Sequence, residues 1–227
     1  MLFDAKMLVA LIPFVICMIV HLVFCFREHE QARSITKLTL MPALGFYVLM
    51  VDRFASWLFL ALLLAYLGDI FLLYKNNKTV FLAGIISFGL SHLTYMYLLL
   101  SRIGWNQLPS WPYLVFIPLG LVIANVFLID LIFKDKAGSL KPVMIIYSFL
   151  LTLELAIAIY GATVRFDRFA LLLIIGCLLF ISSDAYIGIT TFLKPASRSH
   201  FFIMLTYLLA QVAIVVSLLH YHVIIHY

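Results

Sequence analysis

Eight apolar runs of about 20 residues, set close together along 227 residues, leave this chain few folds to choose from. A bilayer core about 30 Å thick is crossed by a helix of that length, since a helix satisfies every backbone N–H and C=O within its own segment. The runs are Met7–Phe26, Ile35–Val51, Phe54–Tyr74, Thr79–Leu100, Tyr113–Phe133, Val143–Val164, Phe169–Ile189 and Phe201–Ile225. With 66% hydrophobic and 11% charged residues, the composition is far from that of a water-soluble domain. The expected fold is all-α: a polytopic integral membrane protein, a bundle of eight transmembrane helices. Residues 1–227 form one transmembrane helical domain in this reading, with no soluble domain left over. The first run is expected to stay as a span, because it lacks a basic leader and a small-residue cleavage site.

Loop charge gives an orientation. Arg27, Arg33, Lys75, Lys78, Lys134, Lys136, Lys141, Lys194 and Arg198 follow odd-numbered spans, nine in all, against five on the other side: Lys6, Arg53, Arg102, Arg165 and Arg168. The positive-inside rule makes the nine-residue side cytoplasmic, so both termini are expected on the non-cytoplasmic side. The formal net charge of +5 calls for no nucleic-acid partner, because anionic membrane lipids suit such basic rims.

Within the spans, the polar residues stand out. Asp69 lies in Leu67-Gly68-Asp69-Ile70-Phe71 and Asp184 in Ile181-Ser182-Ser183-Asp184-Ala185. A carboxylate at the bilayer centre costs roughly 2.5–3.5 kcal/mol even on insertion scales, so each is expected to face a protein interior or a wet cavity. By helical rise, Lys37, Asp69 and Asp184 should all lie within roughly 10 Å of the cytoplasmic boundary. His92 and Glu154 should lie deeper, at roughly 18–20 Å. Tyr95, Tyr147 and Ser183 join them, and Tyr207 and Gln211 share a face one turn apart in the last span. The set points to a polar pocket lined by spans two, three, four, six, seven and eight. Two plainer readings stay open: Lys37 could snorkel to the interface, and His92 could simply pair with Glu154.

Other chemistries lack their motifs. The chain has no Gly-x-Ser-x-Gly elbow, no Walker loop, no His-Glu-x-x-His and no Cys-x-x-Cys. Cys17, Cys25 and Cys177 show no pairing or metal spacing and are expected to pack as small apolar residues. His222 and His226 are spaced i, i+4, yet they lie at the opposite end from the aspartates, and no metal or cofactor is expected.

The strings Tyr66-Leu67-Gly68-Asp69-Ile70-Phe71-Leu72-Leu73, Phe81-Leu82-Ala83-Gly84 and Phe88-Gly89-Leu90-Ser91-His92-Leu93-Thr94-Tyr95 resemble the central signature of the YhhN family, which includes membrane lysoplasmalogenases. Thr36-Lys37, Gly176 with Phe180-Ile181-Ser182-Ser183-Asp184, and Tyr207 with Ala210-Gln211-Val212 extend the resemblance over nearly the whole chain. Where the family commonly places proline after the lysine, this chain has Leu38, with Pro42 further on. The resemblance implies a multi-pass enzyme of a bacterial plasma or inner membrane, or of a eukaryotic endoplasmic reticulum. It also implies hydrolysis of the vinyl ether bond of a lysoplasmalogen, giving a fatty aldehyde and glycerophosphoethanolamine or glycerophosphocholine.

The carboxylate pair suits that chemistry. Protonation of the vinyl ether β-carbon creates an oxocarbenium ion, water adds to it, and the hemiacetal collapses. Two carboxylates in one low-dielectric site tend to titrate apart, giving an acid and a charged stabiliser. Asp69 and Asp184 are the expected catalytic pair, with the roles unassigned between them. Lys37 would meet the substrate phosphate, while His92 and the tyrosines would orient glycerol or water; Glu154, Ser183 and Gln211 complete the expected substrate-binding set. The alternative from another class is a proton- or ion-coupled transporter using the same carboxylates.

Overall fold

The computed structural model describes residues 5–53, 55–74, 77–134, 136–194 and 197–226, with side chains for all of these except 5, 6, 105 and 221–226. Among the described residues the regular structure is entirely helical. The long helices are α1 (Ala5–Phe26), α2 (Glu30–Val51), α3 (Ser56–Leu73), α4 (Lys78–Ile103), α5 (Trp111–Phe133), α6 (Lys141–Val164), α7 (Arg168–Phe192) and α8 (Ser199–His226). Single 3₁₀ turns at Trp105–Gln107 and Gly138–Leu140 precede α5 and α6. All eight long helices are long and apolar enough to cross a membrane.

Polar caps set the ends. Asn77 Oδ1 accepts from the backbone N–H of Thr79 at 3.0 Å and Val80 at 3.3 Å, and Asp167 Oδ1 accepts from Phe169 at 2.9 Å and Ala170 at 2.8 Å. These contacts satisfy donors that a helix start leaves free. Proline stands in the first turn of α5 and α6, where its missing N–H costs nothing. Gly104, at φ 87°, ends α4 in a conformation that side chains resist.

One boundary differs in a way that matters for the site. Hydropathy begins the second span at Ile35, whereas α2 begins at Glu30, capped by His29, whose side chain accepts from Ala32 N at 3.2 Å. The polar turn Glu30–Ser34 thus belongs to the helix. Lys37 is then seven residues inside α2, about 10 Å along its axis, and its ammonium meets Asp69 rather than the helix end.

The helices pack as antiparallel hairpins. The most extensive contacts are α7 with α8, α3 with α4, and α1 with α2, followed by α6 with α7 and α4 with α6. Helix α8 is the axis of the bundle: 72% of its spanning window is buried, and it touches α1, α2, α3 and α4 as well as α7. Helix α5 is the outlier, with 11% buried and its main packing against α6. Its apolar surface, from Trp111 to Ile132, faces outward as a lipid-contacting helix does.

Two glycines permit the closest approaches. A Cβ on Gly68 would come within 2.6 Å of the Phe88 ring, so its absence lets α4 lay that ring against α3 beside Asp69. At Gly176 a Cβ would meet Ile214 Cγ1 at 2.9 Å and Ile214 N at 3.1 Å, so α7 rests directly on the backbone of α8. Small residues at such crossings are the usual way for membrane helices to gain packing contact.

Candidate active site

Asp69 is held by two partners. Its residue exposure is 1%, and both carboxylate oxygens have partners from other helices. The Lys37 ammonium of α2 lies 3.0 Å from Oδ1, and the Tyr207 hydroxyl of α8 donates to Oδ2 at 2.9 Å. An ammonium and a phenol aimed at one carboxylate form charge-assisted hydrogen bonds, which suit the ionised form.

Asp184, on α7, has a different setting. Its Oδ2 accepts from the Tyr147 hydroxyl of α6 at 2.5 Å, and the residue is half-buried. It lies toward the same end of the bundle as Lys37 and Asp69. One carboxylate is thus enclosed and ion-paired, the other partly open with a single phenol donor.

Below them lies a second polar layer. His92 Nδ1 of α4 bonds Glu154 Oε2 of α6, with both residues buried. The plainer reading of this pair therefore holds as geometry: each is the other's partner. The His92 ring stands edge-on to Phe180 at 4.3 Å, Tyr95 at 6.0 Å and Tyr147 at 6.3 Å, measured between ring centroids. The Tyr95 hydroxyl donates to Gln211 Oε1 at 2.9 Å, joining α4 to α8. Among the described residues, His92 Nε2, Glu154 Oε1 and Gln211 Nε2 are buried with no protein partner, so this layer keeps hydrogen-bonding capacity in reserve.

Ser183 is turned to packing. Its hydroxyl donates to the Ile203 carbonyl at 3.1 Å, tying α7 to α8 beside Asp184. Ser91 makes a similar tie to the Ala61 carbonyl at 2.8 Å. The ammonium of Lys37, which the sequence reading directs at phosphate, is engaged by Asp69.

Sequence reasoning did not single out Phe88, Phe180, Arg33 or His21. Phe88 and Phe180 form an aromatic wall with Tyr207, at centroid distances of 6.0 Å and 5.5 Å to its ring. Their signal was spacing: Phe88 is four residues before His92, and Phe180 four before Asp184, which places each on the same helical face as its polar neighbour. His21, on α1, is fully buried; its Nδ1 lies 2.8 Å from Thr36 Oγ1 and its Nε2 3.3 Å from Cys25 Sγ. Thr36 is the neighbour of Lys37, so α1 braces the lysine-bearing stretch of α2.

Among the described residues, no group of three His, Cys, Asp or Glu is arranged to hold a metal ion. The side chains of His222 and His226 lie outside the described set. His220 stacks on Phe169, with centroids 3.5 Å apart.

Comparison with curated proteins and with solved structures finds no match. The model of the YhhN family matches residues 32–218, which takes in Lys37, both aspartates, the His92–Glu154 layer and Gln211, and leaves out α1. On a match covering most of its length and every residue of the polar constellation, the chain belongs to the YhhN family.

Proposed function

We propose that the protein is a lysoplasmalogenase, cleaving the vinyl ether of a lysoplasmalogen to a fatty aldehyde and a glycerophosphoethanolamine or glycerophosphocholine. The observation that carries this reading is the contrast between the two aspartates, one ion-paired and enclosed, the other half-buried beneath a single phenol. Membership of the family is consistent with it.

The contrast also supports an assignment of roles. With Lys37 and Tyr207 donating to its two oxygens, Asp69 carries the fixed negative charge. Asp184, with one donor and partial access, is the acid that reaches substrate. Asp184 gives its proton to the β-carbon of the vinyl ether, breaking the C=C π bond and leaving an oxocarbenium ion. The charge of Asp69 stabilises that cation. Water then adds to the oxocarbenium carbon while the Asp184 carboxylate takes one of its protons. The resulting hemiacetal collapses to aldehyde and alcohol, its hydroxyl proton passing to the leaving oxygen. One water is consumed and the acid is regenerated.

In this reading the substrate enters sideways from the inner leaflet, with both termini of the protein on the non-cytoplasmic side. Its head group stays at the boundary, and its vinyl ether reaches about one turn down to the carboxylates. His92, Glu154, Tyr95 and Gln211 position water below the reacting bond. The decisive test is incubation of purified protein in detergent with a lysoplasmalogen and with its saturated alkyl-ether analogue. Aldehyde is expected from the first only. Absence of aldehyde, with substrate-dependent ion or lipid flux in liposomes, would instead favour a coupled carrier.

A further inference from the structure

With its ammonium committed to Asp69, Lys37 leaves the negative phosphate of a lysophospholipid to another cation at the same end of the bundle. Arg33 lies four residues before Lys37 on α2, so the two share a face with a rise of about 6 Å between them. Arg33 is half-buried, and among the described residues its guanidinium has no ion pair or hydrogen bond. Of the other described cations at this end, Lys78 donates to Ser139 at 2.8 Å, Lys141 pairs with Asp130 and Arg198 lies over the Phe26 ring, while Arg27, Lys134, Lys136 and Lys194 are exposed rather than half-buried as Arg33 is.

We propose that Arg33 binds the phosphodiester of the lysophospholipid head group, while Lys37 stays with Asp69. A guanidinium presents two parallel N–H donors that match two phosphate oxygens, a fit that an ammonium lacks. The geometry agrees with the substrate: three glycerol carbons separate phosphate from vinyl ether, a span comparable to the rise of about 6 Å from Arg33 to Lys37. The buried His21, hydrogen-bonded to Thr36, holds α1 against this stretch of α2. The proposal rests on the hydrolase reading for the identity of the lipid, although phosphate recognition can be measured without turnover.

The test uses the full chain, purified in detergent, as wild type and as Arg33→Gln. Two substrates are compared, a lysoplasmalogen and a 1-alkenylglycerol that lacks the phosphate, and binding of a non-hydrolysable alkyl-ether lysophospholipid is measured separately. Arg33→Gln is expected to lower the preference for the phosphate-bearing substrate by about 10- to 100-fold, the scale of a charge-assisted hydrogen bond. The loss should fall on KM rather than kcat, with the alkyl-ether lipid bound correspondingly weaker. Equal losses on both substrates would mean a structural or general lipid-anchoring role, and an unchanged preference would mean no role; either overturns the proposal. Inorganic phosphate competing as well as the lysolipid would identify a free-phosphate site and overturn it too. Should Arg33→Gln fail to fold, Arg33→Lys carries the same comparison, with an intermediate loss expected. If the wild type releases aldehyde from neither substrate, the hydrolase reading falls, while the binding measurement still decides for or against Arg33.

Discussion

Lys37 and Asp69 show how far a buried charge depends on its partner. Removing one member of such a pair leaves an uncompensated charge and typically costs about 3–5 kcal/mol, whereas replacing both by neutral groups is often tolerated. Lys37→Met is therefore expected to lower the melting temperature in detergent more than the double variant Lys37→Met/Asp69→Asn, which should regain stability without regaining activity. A double variant less stable than the single would disprove an ion pair at this site. Asp184→Asn tests the chemistry instead. The amide keeps size and hydrogen bonding but cannot deliver an acidic proton, so turnover should fall by about 10²–10⁴-fold with little change in melting. Near-normal aldehyde release from that variant would remove the assigned acid. These polar residues were legible in the sequence because an ionisable group in a span is rare. Their partners were not: whether Lys37 reaches phosphate or Asp69 depends on helix rotation, and Ser183, equally visible, spends its hydroxyl on the Ile203 carbonyl.

At the scale of elements, hydropathy located all eight helices and placed their ends within three residues except at the start of α2, where His29 caps a polar first turn, Glu30–Ser34, that hydropathy leaves out. Packing order was also invisible. Helices α5 and α8 have nearly the same mean hydropathy, yet one lies at the margin and the other on the bundle axis. What separates them is the polar content of α8: Tyr207, Gln211 and Ser217 need an interior, and all three are buried. Close approach adds a second constraint. Gly176→Ala presses a methyl group on the Ile214 backbone and should cost about 1–3 kcal/mol as overpacking between α7 and α8. Gly68→Ala meets the Phe88 ring, which can shift, so its larger effect should be on activity, through displacement of Asp69. Thermal melting and aldehyde release for both variants separate the two cases, and equal profiles would argue against the distinction.

For the whole molecule, eight antiparallel helices bring the start of α1 and the end of α8 to one end of the bundle. The loop count of nine Lys and Arg against five sets the side expected for that end, and the described structure keeps Lys136 and Arg102 at opposite ends of the bundle, between α5 and α6 and in the last turn of α4. Lys75 lies outside the described residues, which makes Lys136 the better probe. Cys25 and Cys177 are buried and Cys17 half-buried, so a background with all three replaced by alanine should fold, at a modest cost, and remove ambiguity from labelling. In that background, a membrane-impermeant thiol reagent added outside intact cells should modify Arg102→Cys and spare Lys136→Cys until the cells are opened. The prediction bears on function as well as topology, because Lys37, Asp69 and Asp184 lie toward the end that carries Lys136. A lysolipid reaching them from the inner leaflet requires that end to face the cytoplasm. The reverse labelling pattern would turn the site toward the outer leaflet and replace the proposed access route, while leaving the chemistry of the carboxylate pair intact.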